Sequence, residues 1–183
     1  MNALQQEYHD ALSGMQSRSI LVIGDMVADI YLDGRISRIS REAPVLVLEQ
    51  AGEKVVAGGA ANVVNNIATL GGKVHAVGLV GRDKSADGLR EILAANGADV
   101  RGLIADDSRP TISKTRIIAG GRATVSQQIV RIDRESKAPM APAVEAELRA
   151  YIKSILPTVE GVVISDYGSG TVTEGLPSLL IDY

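Results

Sequence analysis

Residues 58–72 read GGAANVVNNIATLGG, and this stretch decides the fold. Its apolar residues from Ala60 to Ala68 recur with helical spacing, and the pair Gly71-Gly72 ends the helix that they predict. The two glycines before the helix allow main-chain amides to approach a ligand closely. An ordinary turn before a helix would carry the same glycines, so the stretch alone leaves its function open.

Strands and helices alternate on both sides of this stretch. Ser19–Ile23 is a short β-branched run that ends at Gly24-Asp25, as expected of a buried strand whose end reaches a site. The other predicted elements are a strand at Lys73–Leu79, a helix at Asp83–Asn96, a helix at Pro142–Leu156 and a strand at Gly161–Ser165. This alternation predicts an α/β fold with a mostly parallel sheet flanked by helices.

Two regions interrupt the alternation, because they are β-rich and have no helix between their strands. They are Pro44–Gln50 and the pair Ile112–Ile118 with Thr124–Ile132, for which Gly120-Gly121 predicts the connecting turn. Polar and apolar residues mix in Ile112–Ile118, as in a sheet with one solvated face. We therefore expect a small second β-sheet that forms a lid over a cleft, with lid segments at about 35–56 and 111–133.

The two ends of the chain depart from the α/β pattern. Leu4–Met15 predicts an amphipathic lead-in helix within residues 1–17, and residues 18–183 are expected to form a partial α/β domain. Thr173–Tyr183 begins like a helix, but no strand follows to complete the unit. A sheet that ends on an uncovered strand would expose main-chain edges, so we expect either a truncated piece or disorder beyond this unit, with the C-terminal half of the fold missing.

Composition argues against several kinds of site. The 183 residues include no cysteine and only two histidines, which disfavours disulfides, thiolate metal sites and Ser-His-Asp catalysis. A net charge of −3 and the lack of Phe and Trp disfavour a nucleic-acid partner. No apolar run has the length of a signal-peptide core or a membrane span, so we expect a cytoplasmic protein with no membrane partner.

Asp29 and Asn62 are the polar side chains that the sequence makes the best candidates for binding hydroxyl groups. Asp29 follows Gly24-Asp25 near a strand end, where α/β folds collect ligands, and Asn62 lies in the first turn of the glycine-flanked helix. That helix start lacks the Gly-Lys-Ser/Thr of a P-loop. It also lacks the third glycine of a dinucleotide fingerprint, and no strand is predicted directly before it. For Asp29 the alternative is a solvated turn carboxylate.

Basic residues gather on or beside the expected lid. They are Arg35, Arg38, Arg41, Lys114, Arg116 and Arg131. Several of them could converge on one phosphate through charge-assisted hydrogen bonds, although each alone would be an ordinary surface cation. His75 lies inside an apolar strand, and we expect it to be a satisfied core or surface residue rather than a ligand.

Three separate features resemble the ribokinase/PfkB family of carbohydrate kinases: Gly24-Asp25 with Asp29, the 58–72 stretch, and Ser165-Asp166-Tyr167 after a late strand. Within that family, further stretches look like the kinases of D-glycero-β-D-manno-heptose 7-phosphate. They are SRISREAPV at 37–45, PTISKTR at 110–116, QQIVRID at 127–133 and ISDYGSG at 164–170. The resemblance extends over nearly the whole chain after about Arg18. Arg41 departs from it, because proline is more common there.

The resemblance implies a role for each candidate. The residues implied to bind the sugar are Asp29, Gly58, Gly59, Asn62 and Asp166. The candidates for the substrate's phosphate are Arg38, Lys114, Arg116 and Arg131. The chain would then be the acceptor half of a kinase that phosphorylates the anomeric hydroxyl of the heptose, a reaction of ADP-heptose and lipopolysaccharide core biosynthesis.

The family's donor-side motifs have no counterpart in this sequence. Neither the Gly-Ala-Gly-Asp motif that carries the catalytic aspartate nor the Asn-x-x-Glu segment associated with magnesium is present. The resemblance implies ATP and Mg²⁺ as the cofactors of the complete enzyme. For this chain alone we expect no cofactor, no metal site, no catalytic residue and no kinase activity.

Two other functions remain open at this point. The chain could belong to another PfkB-type sugar kinase, or it could be a non-catalytic module that binds sugar phosphates. In each case we expect a homodimer through the lid, because a small one-sided sheet needs its apolar face covered and this family often pairs its lids.

Overall fold

The computed structural model describes residues 2–120 and 125–181. The helices are α1 Ala3–Met15, α2 Ala60–Thr69, α3 Lys84–Ala95, α4 Pro142–Ile155 and α5 Gly175–Ile181. The strands are β1 Ser19–Gly24, β2 Met26–Ile39, β3 Leu46–Gly59, β4 Lys73–Val80, β5 Asp99–Ala105, β6 Ile112–Gly120, β7 Gln127–Arg134 and β8 Gly161–Ser165. Parts of two sequence predictions lie outside the described residues, namely Gly121 and Thr124 near the expected turn and the last two residues of Thr173–Tyr183.

Four strands form a parallel sheet in the order β5-β4-β1-β8. Helices α2 and α3 pack on one face around Val64 and Leu89, and α4 and α5 pack on the other face around Ile152 and Leu176. Successive side chains of β1 enter the two cores in turn, because the side chains of a strand alternate between the faces of its sheet. The prediction of an α/β fold with a mostly parallel sheet flanked by helices is confirmed.

The other four strands form a separate small sheet in the order β3-β2-β6-β7. Strand β2 is antiparallel to β3 and parallel to β6, and β7 is antiparallel to β6. Only Asp25 separates β1 from β2, and β3 ends at Gly59, immediately before α2. These short links hold the small sheet beside the C-terminal ends of the parallel strands, where α/β folds bind ligands.

Strand β2 is the main element that the sequence patterns do not predict. Asp29 lies inside this 14-residue strand and not in a turn, so the small sheet extends beyond the expected segments at about 35–56 and 111–133. Charged residues interrupt the apolar pattern of β2 because one of its faces is solvated. The prediction that no strand directly precedes the glycines is wrong, since β3 runs from Leu46 to Gly59. Strand β5 was also not predicted.

Strand β8 has an open outer edge, since none of the described strands pairs with it there. Val162 and Ile164 are 38% and 42% exposed, whereas their neighbours Leu21 and Ile23 in β1 are fully buried. Helix α1 buries none of its residues. No helix within residues 2–120 and 125–181 combines the length and apolarity needed to cross a membrane.

Candidate functional site

Charged side chains occupy one face of the small sheet. Asp29 in β2 lies opposite Lys114 in β6, and Lys114 lies opposite Asp133 in β7. The next row on the same face consists of Tyr31, Arg116 and Arg131. We call these two rows the charged face. It brings together three of the predicted site residues from β6 and β7 with the predicted carboxylate of β2.

The other face of the same strands is apolar. Its two rows are Ile30, Thr115 and Ile132, and Leu32, Ile117 and Val130. Val130 and Ile132 are 45% and 54% exposed, so the outer part of this face is open to solvent. We call these two rows the apolar face.

Asp29 and Arg116 form an ion pair on the charged face. An Nη1 N–H of Arg116 donates to Asp29 Oδ1 at 2.5 Å, and both side chains are mostly buried, with 22% and 21% exposed for Arg116 and Asp29. The guanidinium of Arg116 also lies over the Tyr31 ring, 5.4 Å from its centre. The hydrogen bond with Asp29 raises the pKa of Arg116 above its ordinary value. Arg116 is thus held as a cation beside the carboxylate.

The absence of a side chain at Gly58 leaves room for the Asp29 carboxylate. A Cβ atom at position 58 would lie 2.5 Å from Asp29 Oδ2 and 2.9 Å from its Cγ, closer than non-bonded atoms approach. Gly59, with φ of 54°, precedes α2, and a Cβ there would lie 2.6 Å from the main-chain oxygen of Asp25. The two glycines therefore admit a close approach of β3 to the end of β1 and to Asp29.

Asn62 lies in the first turn of α2 and its side chain is exposed. The N–H of Ala60, two residues earlier, donates to the main-chain oxygen of Asp25 at 3.0 Å, which fixes the start of the helix beside the end of β1. Asn62 is therefore positioned near the C-terminal end of the parallel sheet, with an amide that can donate to and accept from a hydroxyl.

Asp166 follows β8 at the same end of the parallel sheet, where Gly24 pairs with Ser165. The residue is exposed, and its Oδ1 accepts a hydrogen bond from the N–H of Gly168 at 2.8 Å. This bond closes a tight turn after the strand and leaves the other carboxylate oxygen for a ligand.

The four phosphate candidates do not all lie together. Arg131 is on the charged face, but its guanidinium donates to both oxygens of Asp133, at 2.8 and 2.9 Å. Arg38 lies opposite Val47 near the far end of β2. It is nine positions from Asp29 in the sequence, roughly 30 Å along an extended strand. Within one copy of the chain, Lys114 and Arg116 are the candidates adjacent to Asp29.

Lys54 is a basic residue of the charged face that sequence reasoning missed. It lies opposite Tyr31 in β3, and both residues line a cavity of about 360 Å³ together with Asp33 and Val56. The strand predicted at Pro44–Gln50 ends before Lys54. The pairing also shifts register between Gln50 and Gly52, so a period-two pattern continued from residues 44–50 does not predict that Lys54 lies on this face.

Asp25 is a second residue whose contacts the sequence did not predict. It is fully buried at the end of β1, and its carboxylate accepts hydrogen bonds from the N–H groups of Tyr167, Ser169 and Thr171. A carboxylate directly after a buried strand and a glycine was visible in the sequence, but its partners lie more than a hundred residues away. The pattern alone could not name them.

Within 2–120 and 125–181, no group of three or more His, Cys, Asp or Glu side chains is arranged to hold a metal ion. The start of α2 carries no P-loop lysine either. Within these ranges the residues thus provide no cluster of carboxylates for Mg²⁺. They fit an acceptor with hydroxyl groups and an anionic group, because the Asp29 carboxylate lies beside the cations Lys114 and Arg116.

A family model matches most of the chain. Residues 17–161 match the model described as "pfkB family carbohydrate kinase", which covers most of the chain. The chain belongs to the pfkB family of carbohydrate kinases. The charged face and the glycine-flanked helix of this pfkB chain lie inside the matched region.

Its curated relatives include the bifunctional protein HldE of several bacteria. The HldE of Helicobacter hepaticus is 41% identical over 172 residues, which cover 93% of this chain and 35% of that protein. The HldE of Azorhizobium caulinodans is 43% identical over 166 residues, which cover 90% of this chain and 34% of that protein. The chain therefore spans about a third of the length of these relatives.

Solved structures share the fold at low sequence identity. Phosphofructokinase-2 from Escherichia coli, solved with substrates and products, is 18% identical with a TM-score of 0.58, and the match covers 89% of this chain and 49% of that one. The ribokinase from Arabidopsis thaliana, solved with ribose and ATP, is 16% identical with a TM-score of 0.51, over 81% of this chain and 46% of that one. These likenesses confirm the ribokinase-like fold.

Proposed function

We propose that this pfkB chain forms the acceptor-binding part of a kinase that phosphorylates the anomeric hydroxyl of D-glycero-β-D-manno-heptose 7-phosphate. The observation that carries the proposal is the charged face, on which Asp29 lies next to Lys114 and Arg116. A carboxylate suits the hydroxyls of the sugar, and adjacent cations suit its phosphate. The similarity to HldE proteins over nine-tenths of the chain supports the heptose as the sugar.

The residues of this chain would act by holding and orienting the acceptor. Asp29 and Asn62 would accept and donate hydrogen bonds at the sugar hydroxyls, and Asp166 would bind the sugar from the end of β8. Lys114, Arg116 and Lys54 would bind the phosphate. In the complete enzyme ATP would supply the phosphoryl group, with Mg²⁺ neutralising its charge. Fixing the acceptor in this way contributes to the rate by positioning it for attack.

The homodimer through the lid is part of the proposal. The apolar face exposes Val130 and Ile132 on a sheet of four strands, and a second copy of the chain would remove this surface from water. The charged face on the other side of the same strands would stay accessible to the substrate.

The test is calorimetric titration of the 183-residue chain with three ligands: the heptose 7-phosphate, the same heptose without phosphate, and fructose 6-phosphate. We expect the heptose 7-phosphate to bind at least about tenfold more tightly than the neutral heptose, since a charge-assisted contact is lost with the phosphate. Equal affinities would contradict the phosphate assignment. Tighter binding of fructose 6-phosphate would favour a different sugar kinase of the family.

The same titration beside a turnover assay separates an enzyme from a binding module. The assay uses a longer chain that includes the family's donor-side motifs, supplied with ATP and Mg²⁺. Formation of the heptose bisphosphate by the longer chain supports the kinase. Tight binding without any turnover by the longer chain would favour a non-catalytic module.

A further inference from the structure

The fully buried carboxylate of Asp25 is bound by a loop that follows a different strand. Oδ2 accepts from the N–H of Tyr167 at 2.9 Å and from that of Ser169 at 3.1 Å, and Oδ1 accepts from the N–H of Thr171 at 3.2 Å. The main-chain N–H of Asp25 also donates to the oxygen of Ser165 at 3.2 Å. Asp25, at the end of β1, therefore binds the segment after β8 with both its main chain and its side chain.

The conformation of residues 166–171, which we call the 166–171 loop, explains the pattern of donors. Gly168 and Gly170 have φ of 75° and 91°, so left-handed residues alternate with the donors between them. This alternation turns the N–H groups of every second residue to one side and forms a concavity that binds anions. Here the anion is a carboxylate of the same chain, which occupies all three donors.

The loop also determines where Asp166 lies. Asp166 is its first residue, and its own Oδ1 accepts from the N–H of Gly168, between two of the donors to Asp25. A change in the path of residues 167–171 would therefore move the Asp166 carboxylate. A polar group that is misplaced by about 1 Å loses much of its contribution to binding.

We infer that Asp25 is a positioning residue, which holds the 166–171 loop in the conformation that presents Asp166 to the acceptor sugar. The role of Asp166 in this inference rests on the proposed function. That Asp25 fixes the conformation of the 166–171 loop rests on the hydrogen bonds alone. Asp25 itself does not touch the substrate, because it is fully buried.

The first experiment replaces Asp25 with asparagine and measures amide hydrogen exchange by NMR. The asparagine oxygen can accept from Tyr167 and Ser169, but its NH₂ group then faces the N–H of Thr171. We expect the amide of Thr171 to exchange at least about tenfold faster than in the wild type, with smaller changes at Tyr167 and Ser169. The amides of β8 should keep their protection. Unchanged exchange at Thr171 would overturn the inference.

A second variant disturbs the loop without removing the buried charge. Gly170→Ala puts a side chain where φ is 91°, and no atom lies closer than 3.9 Å to the added Cβ, so backbone strain is the main effect. The matched control is Gly97→Ala, which has φ of 86° and open space but lies at the end of α3. Both variants should lose similar thermal stability.

Binding affinity separates positioning from stability. We expect Asp25→Asn and Gly170→Ala to lower the affinity for heptose 7-phosphate by about tenfold or more, and Gly97→Ala to leave it unchanged. Faster loop exchange in Asp25→Asn with wild-type affinity would overturn the positioning role. If the wild type binds no sugar phosphate, the proposed function fails, and the exchange pattern alone then decides whether Asp25 holds the loop.

Discussion

Arg116 Nη1 lies 2.5 Å from Asp29 Oδ1, across the parallel pair of β2 and β6. The residue proposed to bind the sugar hydroxyls is thus bonded to one proposed to bind the phosphate. Each restricts the side-chain freedom of the other, and the Tyr31 ring beneath Arg116 restricts it further. A site that is ordered before the ligand arrives loses less conformational entropy on binding.

Arg116→Ala should therefore weaken heptose 7-phosphate binding more than it weakens binding of the neutral heptose. We expect a loss of about tenfold to a hundredfold for the phosphate, or about 1.4 to 2.7 kcal/mol. The affinity of Arg116→Lys for heptose 7-phosphate should lie between those of the wild type and Arg116→Ala. Lysine keeps the charge but loses the planar guanidinium over Tyr31. Calorimetry measures both, with Arg101→Ala as the control, since Arg101 pairs with Asp99 away from the charged face. Equal losses for both ligands would contradict a phosphate contact.

Gly58→Ala should reduce sugar binding by displacing Asp29. The added Cβ would lie 2.5 Å from Asp29 Oδ2, so the carboxylate must move, and we expect about a tenfold loss of affinity. Gly88→Ala is the matched control. Gly88 lies inside helix α3, and a Cβ there would meet only the side chain of Val55, at 3.7 Å. That control should stabilise the protein by about 0.5–1 kcal/mol and leave binding unchanged. Wild-type affinity in Gly58→Ala would exclude Asp29 from the sugar site.

Ile132→Lys should dissociate the proposed dimer. Ile132 is 54% exposed on the apolar face, so a lysine there costs the folded monomer little and places a charge in the interface. Light scattering after size-exclusion chromatography should give a dimer for the wild type and a monomer for the variant. Ile181→Lys, a similar change at an 83% exposed position in α5, should remain dimeric. A monomeric wild type at high concentration would contradict the lid dimer.

Asp99→Asn should change how stability depends on pH. Hydrogen bonds from Arg101, and one from His75, lower the pKa of Asp99 to about 2 from an ordinary value of 3.8. A carboxyl with a lowered pKa in the folded state stabilises the fold above its unfolded pKa, and this contribution is lost as the pH falls through the folded pKa. The wild type should thus exceed Asp99→Asn in free energy of unfolding by a constant amount above about pH 5.

Below about pH 4 the difference should shrink as the pH approaches 2. Urea denaturation followed by circular dichroism from pH 7 to pH 3 measures it. Asp10→Asn on the exposed helix α1 provides the control, and its difference from the wild type should be small throughout. A wild-type advantage that grows with acidification would contradict the role of Asp99.

The 183-residue chain alone should show no ATP-dependent formation of the heptose bisphosphate. Phosphoryl transfer needs a cradle for the donor phosphates, a metal site and a group that takes the acceptor proton. Loss of the base alone costs about a hundred- to ten-thousand-fold in rate. The assay compares this chain with one that includes the family's donor-side motifs, at equal concentrations. Comparable rates would show that the donor site lies among residues that we assign to the acceptor.

Local sequence patterns determined the regular elements of the parallel sheet and its helices. The apolar spacing in residues 60–68 gave α2, and Gly161–Ser165 matches β8 at both ends. These elements are buried on wide faces, so their hydrophobic periodicity survives in the sequence. His75 was expected to be a satisfied residue, and it pairs with Asp99 at 3.1 Å. The resemblance of residues 110–116 and 127–133 to heptose 7-phosphate kinases could also be recognised from the sequence, because each motif is a short continuous stretch.

Tertiary structure decided which of the candidate residues share a site. Strand β2 has polar residues on a solvated face, so only its pairing with β3 and β6 makes it a strand. The register of those pairs puts Lys54, Lys114 and Arg116 on one face and leaves Arg38 at the far end. The three donors to Asp25 come from a loop more than a hundred residues later. A single sequence carries no signal for such pairings, because register and loop path are set by packing between segments far apart in the chain.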